Sequence, residues 1–149
     1  MLSRGVTLLR FARYAYRFER AYKSDVWSDV RASFADDASY EVTGTGTSYD
    51  DTTFGGDAVV ALLRTFVTEI DRKYDKRQPR AIGVPRFEGE TLVLQWSVRY
   101  VKGSDARIIT GTTRCTYRDG RIATLRDEMH ADECARWMSL VSSGRASQR

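Results

Sequence analysis

The sequence predicts a single α+β domain, with three N-terminal helices packed on a curved, mostly antiparallel sheet that encloses a pocket. Two patterns carry this. Apolar residues recur at helical spacing through most of the first half, and at alternate positions through most of the second. Helices followed by a run of hairpins build a layered α+β fold rather than a doubly wound sheet. Size is the third observation. The chain has 149 residues, 42% of them apolar and 30% charged. That is one domain by length, with material for one core and too much apolar content for disorder.

Residues 6 to 23 read as the first helix, with Leu8, Phe11, Ala15, Phe18 and Tyr22 on one face. Arg10, Arg13, Arg17 and Arg20 form a second stripe, either a solvated face or a contact for an anionic partner or membrane surface. Such an Arg-rich, acid-poor start also suits a transit peptide, but the pattern runs unbroken into the helix, which favours a structural role. Ser24 or Asp25 caps a second helix whose Val26, Trp27, Val30 and Phe34 face inward, and Ala35-Asp36-Asp37 closes it. Ala38 to Thr43 reads as a strand and Gly44 to Thr53 as a loop. Gly55-Gly56-Asp57 starts a third helix, with Val59, Leu62, Leu63, Phe66, Ile70 and Tyr74 at helical spacing.

Residues 80 to 88, 91 to 102, 106 to 118 and 121 to 130 read as strands separated by Gly-containing turns. In the second of these, Leu92, Leu94, Trp96, Val98 and Tyr100 make the core row. Val93, Gln95, Arg99 and Val101, with Thr112 and Arg114 of the next strand, make the outer row. Asp132 to Val141 reads as a closing helix. The domain then spans residues 1–141, with 142–149 as a flexible tail. Arg72, Lys73, Lys76, Arg77 and Arg80 read as a solvated helix end, or as a rim that could greet an anionic substrate.

Asp127 is the best candidate for chemistry. In the last strand it shares a face with Ala123, Leu125 and Met129, while Thr124, Arg126, Glu128 and His130 take the other. A carboxylate in an apolar row is paired, protonated or at a wet cavity, because burying a bare charge is costly. The core rows predict a pocket lined by Tyr40, Val42, Trp96, Val98, Tyr100, Thr113, Cys115 and Asp127, with Phe18, Tyr22 and Phe66 added from helices. Such an aromatic cavity suits a small apolar or aromatic molecule, such as a polyketide, terpenoid or steroid-like compound. In it Asp127 is expected to have a raised pKa and to act as acid/base, with Tyr40 as its polar partner. The alternatives are a ligand contact without chemistry, or a hydrogen-bonded core group.

The chain has one His, and its two cysteines, Cys115 and Cys134, lack metal spacing. No metal and no cofactor is implied, and the free thiols point to a cytoplasmic setting. The net charge of +4 is mild and no nucleic-acid-reading motif appears. No apolar run approaches the ~20 residues of a membrane span.

Val26-Trp27-Ser28-Asp29-Val30-Arg31-Ala32-Ser33-Phe34-Ala35-Asp36-Asp37-Ala38, Gly56-Asp57-Ala58-Val59 and Asp119-Gly120-Arg121-Ile122, in that order, carry a resemblance. The chain resembles the nuclear-transport-factor-2-like superfamily, including SnoaL-like polyketide cyclases, across roughly residues 15–138. The resemblance implies a cone-shaped, cystatin-like α+β fold. Its ketosteroid-isomerase-like members place an Asp base, a Tyr and a second Asp where this chain has Val42, Phe18 and Thr113, so the resemblance does not carry that catalytic set over. Its epoxide-hydrolase-like members imply roles for Asp127 and Tyr40, but Val42, Trp96 and Val98 replace their Asn, Arg and second Asp. Dehydratases that rely on histidines fit poorly, because His130 lies opposite Asp127. Three readings follow: an isomerase, cyclase, dehydratase or hydrolase acting on an apolar substrate; a non-catalytic ligand-binding or assembly domain that homodimerises through the outer sheet face; or an anionic-surface binder.

Overall fold

The computed structural model describes residues 3–146, with side chains through 141. The elements run α1 (Arg4–Ser24), α2 (Ser28–Ala32), β1 (Phe34–Thr43), β2 (Asp51–Phe54), α3 (Gly56–Glu69), a 3₁₀ turn (Asp71–Lys73), β3 (Lys76–Glu88), β4 (Thr91–Lys102), β5 (Asp105–Arg118), β6 (Arg121–Glu128) and α4 (Ala131–Ala146). One sheet has the order β2-β1-β6-β5-β4-β3. The hairpins are antiparallel, and β1 joins β6 in parallel. The α+β architecture, with helices packed on a curved sheet, is the one the patterns predict.

Helix α1 buries a narrower seam than its apolar face suggests. Thr7, Tyr14 and Ala21 go deepest, whereas Phe11, Phe18 and Tyr22 flank them half-buried. Tyr14 sets its ring edge-on to Phe34, with centroids 5.5 Å apart. Asp25 ends α1 in a left-handed conformation instead of starting α2, and its carboxylate accepts from Trp27 Nε1 at 2.9 Å.

The second helix is only Ser28–Ala32. Phe34, expected on its inner face, is the first residue of β1, and Ala35-Asp36-Asp37 lies within that strand. A bulge absorbs the difference: Phe34 pairs with Ile122 but Ser39 pairs with Thr124. Residues 51–53, expected at the end of a loop, join Phe54 in β2 against β1. A matching irregularity sits in β6 at Ala123, since Thr116 opposes Thr124 and Tyr117 opposes Ile122. The extra residue flips the phase, so Ile122 and Leu125 both reach the core and the expected inward row begins at Leu125.

Helix α3 stops at Glu69 rather than reaching Tyr74. Its polar continuation becomes the 3₁₀ turn and then β3, which is exposed along most of its length. Pro79, Pro85 and a register break between Ile82 and Arg86 mark β3 as an edge strand that resists further pairing. Val93, expected on the solvent face, is 1% exposed. It lies between Arg86 and Arg114, and both arginines pair with Glu88. Long charged side chains can cover an apolar neighbour while keeping their heads wet.

Two apolar clusters result. One joins α1, α2, α3 and the β1–β6 half of the sheet. The other joins Tyr74, Val98, Tyr100 and Ile109 to Cys134, Trp137 and Leu140 of α4. Helix α4 runs past Val141 to Ala146, so the expected tail starts inside it, and residues 147–149 lie outside the described residues. Among the described residues, no helix is long and apolar enough to cross a membrane.

Candidate functional site

A cavity of about 280 Å³ lies between α1, α3, α4 and the concave face of the sheet. Phe18, Tyr40, Val42, Phe66, Trp96, Val98, Tyr100, Thr113 and Asp127 line it, as the core rows and helix faces suggest. Tyr22 and Cys115 do not. The Cys115 side chain packs fully inside the first cluster, where burial pushes its thiol up to about 12. The Tyr22 ring instead meets the Arg77 guanidinium 5.2 Å away.

Asp127 occupies one pole of the cavity. Tyr40 Oη donates to Asp127 Oδ2 at 2.6 Å and Thr113 Oγ1 donates to Oδ1 at 2.6 Å. Trp96 Nε1 donates to Thr113 Oγ1 at 2.9 Å, which leaves the threonine hydroxyl proton for the carboxylate. The three strands set this geometry, since Val42 and Thr113 are the Cα partners of Asp127. Among the described residues no Lys, Arg or His lies within salt-bridge distance of it. Asp127 is deep in the protein, and the surface it keeps faces the cavity. Burial raises its pKa, and the bonds from Thr113 and Tyr40 oppose this in part. Burial also raises the Tyr40 phenol well above its ordinary value, helped by the neighbouring Asp127 charge.

Gly111 opens the space that Trp96 fills. A Cβ at position 111 would collide with the indole ring. The glycine therefore lets Trp96 lie across β5 and reach Thr113 with its Nε1.

A second polar pole escapes sequence reasoning. Asp71 is 8% exposed and accepts from Tyr100 Oη at 2.8 Å. Arg77 Nη1 donates to Glu19 Oε1 at 2.8 Å, and its Nε lies 3.6 Å from Asp71 Oδ2, an ion pair beyond hydrogen-bonding reach. Burial raises the pKa of Asp71 against the pull of Arg77 and Tyr100. For Arg77 burial acts downward, but Tyr100, Asp71 and Glu19 outweigh it and the guanidinium stays charged. Arg77 thus leaves the solvated group it was expected to join. The available signal was the alternation Arg77, Pro79, Ala81, which shares a face with the inward row of β4. Tyr14, Glu19 and Asp71, all lining the cavity, gave no signal of their own.

Helix α4 shuts one end. Trp137 packs on Tyr74 and Tyr100, with centroids 6.1 and 4.8 Å away, and Tyr74 Oη donates to the Trp137 carbonyl at 2.6 Å. Among the described residues no group of three His, Cys, Asp or Glu side chains converges to hold a metal ion.

No family model matches the sequence, and no curated protein matches it. Solved structures do match. A nuclear-transport-factor-2-like protein from Anabaena variabilis aligns with TM-score 0.67 and 12% identity, over 89% of this chain and 96% of the other. One of unknown function from Burkholderia pseudomallei aligns with TM-score 0.65 and 18% identity, over 86% and 96%. The chain has the nuclear-transport-factor-2-like fold. TerC, co-crystallised with polyporic acid, aligns with TM-score 0.64 and 10% identity, over 87% and 98%. At these identities the likeness is one of fold, and a nuclear-transport-factor-2-like fold hosts many chemistries.

Proposed function

We propose that the chain binds a small, flat, largely apolar molecule in the cavity, and that Asp127 serves there as general acid/base. The observation that supports this most is a buried carboxylate without a cationic partner, held by two hydroxyl groups and facing an aromatic hollow. Burial raises the pKa of this carboxyl group, which makes it a better proton acceptor than a solvated carboxylate and suits general acid/base work. Tyr40 and Thr113 fix its plane, and the lone pairs they leave free are the ones a substrate would meet. Tyr40 would follow the proton by strengthening or relaxing its bond to Oδ2. The chemistry within reach is proton movement: isomerisation, cyclisation, dehydration or water addition. A volume of about 280 Å³ is at the low end for ligand pockets and favours a compact ring system over a steroid. Co-crystallisation of the similarly folded TerC with polyporic acid agrees with a small organic ligand. The free, buried Cys115 and Cys134 fit a cytoplasmic protein.

The test is a panel of small cyclic carbonyl and hydroxyl compounds, screened by Trp fluorescence and then for turnover. Asp127→Asn is expected to keep binding and lose about 10²–10⁴-fold in rate. Equal turnover in the mutant removes Asp127 from catalysis.

A second reading, an assembly domain, draws on Ile82 and Ile108, which are 42% and 58% exposed on the convex face of the sheet. That face suits a homodimer with no chemistry inside. Light scattering on the parent and on Ile108→Asp checks it: a dimer that dissociates in the variant supports pairing there, and a monomeric parent removes it.

A further inference from the structure

A second hollow of about 200 Å³ sits on the other side of α1, between that helix, α2 and the β5–β6 turn. Its walls include Arg10, Arg13, Arg17, Ser33, Tyr117 and Gly120, and no Asp or Glu. We propose that it is a binding site for a phosphate oxyanion.

Three observations converge. First, two buried polar atoms there have no hydrogen-bond partner, Arg10 Nη1 and Tyr117 Oη. The Cys115 thiol neighbours the phenol and perturbs it, yet no hydrogen bond of ordinary geometry joins the two. Buried donors left unpaired are costly, so such atoms ordinarily meet a ligand or water. Second, three guanidinium groups share one helix face, with Arg13 and Arg17 one turn apart. Like charges at that spacing repel unless something negative lies between them. Among the described residues none of the three has a carboxylate within salt-bridge distance, whereas Arg31, Arg118 and Arg121 on the adjoining elements pair with Asp36 or Asp37. Third, the site is built rather than loose. Arg17 Nη1 donates to Ser33 Oγ at 3.1 Å, and Arg10 lies against Gly120, where a Cβ would come within 3.2 Å of its Nη1. Gly120 has φ of 81°, so the turn that admits Arg10 requires glycine.

Guanidinium forks and a phenol hydroxyl are the donors that suit the oxygens of a phosphate group. A phosphorylated small molecule and a lipid headgroup share that chemistry. The hollow does not depend on the acid/base reading of Asp127.

Calorimetric titration with inorganic phosphate and with phenyl phosphate tests it, at low and at moderate salt. Saturable binding is expected, weaker at higher salt. Arg10→Gln should weaken it about tenfold or more and Tyr117→Phe by a smaller factor, with thermal melts showing both variants folded. Arg13→Gln, on the exposed side of the hollow, supplies a variant with little bearing on folding and should also weaken it. Asp127→Asn should bind phosphate as the parent does. Sedimentation with phosphatidylcholine vesicles, with and without phosphatidic acid, tells a lipid source from a soluble one. Failure of the parent to bind phosphate in any of these forms, or equal binding by Arg10→Gln, Arg13→Gln and the parent, overturns the site and leaves water as the partner of Arg10 and Tyr117.

Discussion

Asp127 and Asp71 line the same cavity, and burial raises the pKa of both, yet their surroundings differ in kind. Asp71 has a guanidinium and a phenol, and that guanidinium is itself tied to Glu19. Asp127 has two neutral hydroxyl groups. A buried acid with a counter-ion is a latch between elements: Asp71, Arg77 and Glu19 join the 3₁₀ turn, β3 and α1. A buried acid without one stays free to exchange a proton. The difference teaches where to look for chemistry in an aromatic cavity, which is at the unpaired charge rather than at the most charged corner.

The comparison breaks most sharply at Arg77. Arg77→Met leaves Asp71 buried without its cation and is expected to cost about 3–5 kcal/mol in urea unfolding. If the latch is real, Asp71→Asn combined with Arg77→Met costs clearly less than the two single changes added together. Simple additivity would mean that the two side chains do not act as a pair.

Gly111→Ala tests the other pole through packing. The new methyl displaces the Trp96 ring and its bond to Thr113, for a loss of about 2 kcal/mol and a shifted Trp emission. Unchanged emission and stability would show that the indole is not held there.

Tyr40→Phe removes one of the two donors to Asp127. The expected cost is about 1 kcal/mol, with the Asp127 pKa moving further up because a bond to the charged form is lost. Carboxyl-edited NMR titration reads that shift directly.

Asp127→Asn is read by its pH signature rather than by its size. The folded pKa lies above the unfolded one, so between the two values the folded chain holds the extra proton. Stability therefore falls as pH rises through the unfolded value toward the folded one, by about 1.4 kcal/mol for each unit of difference. The asparagine variant should lack that fall and be relatively more stable at neutral pH. Parallel stability curves for the two proteins from pH 3 to pH 8 would show that Asp127 ionises as freely folded as unfolded.

Strand alternation alone placed Tyr40, Val42, Trp96, Val98, Tyr100, Thr113 and Asp127 toward one interior, because a side chain's face on a strand is a local property with a period of two. Helical spacing did the same for Phe18 and Phe66. Tyr22 and Cys115 fell on the right faces, but the Tyr22 ring meets the Arg77 guanidinium and Cys115 packs inside the first cluster, and such packing is not local. Arg77 was hidden by a helix that ended at Glu69 instead of Tyr74. Where that helix stops is settled by the buried contacts of Asp71 and Tyr74 with β4 and α4, far along the chain. Even the inward row around Asp127 depends on a bulge at Ala123 that puts Ile122 and Leu125 on one side. Sequence by itself determined the periodicities, hence the elements, the layers and an acid among apolar neighbours. Only the tertiary structure decided which acid has a cation and which has none, because pairing between β3, α1 and the 3₁₀ turn brings together charges that no local pattern connects.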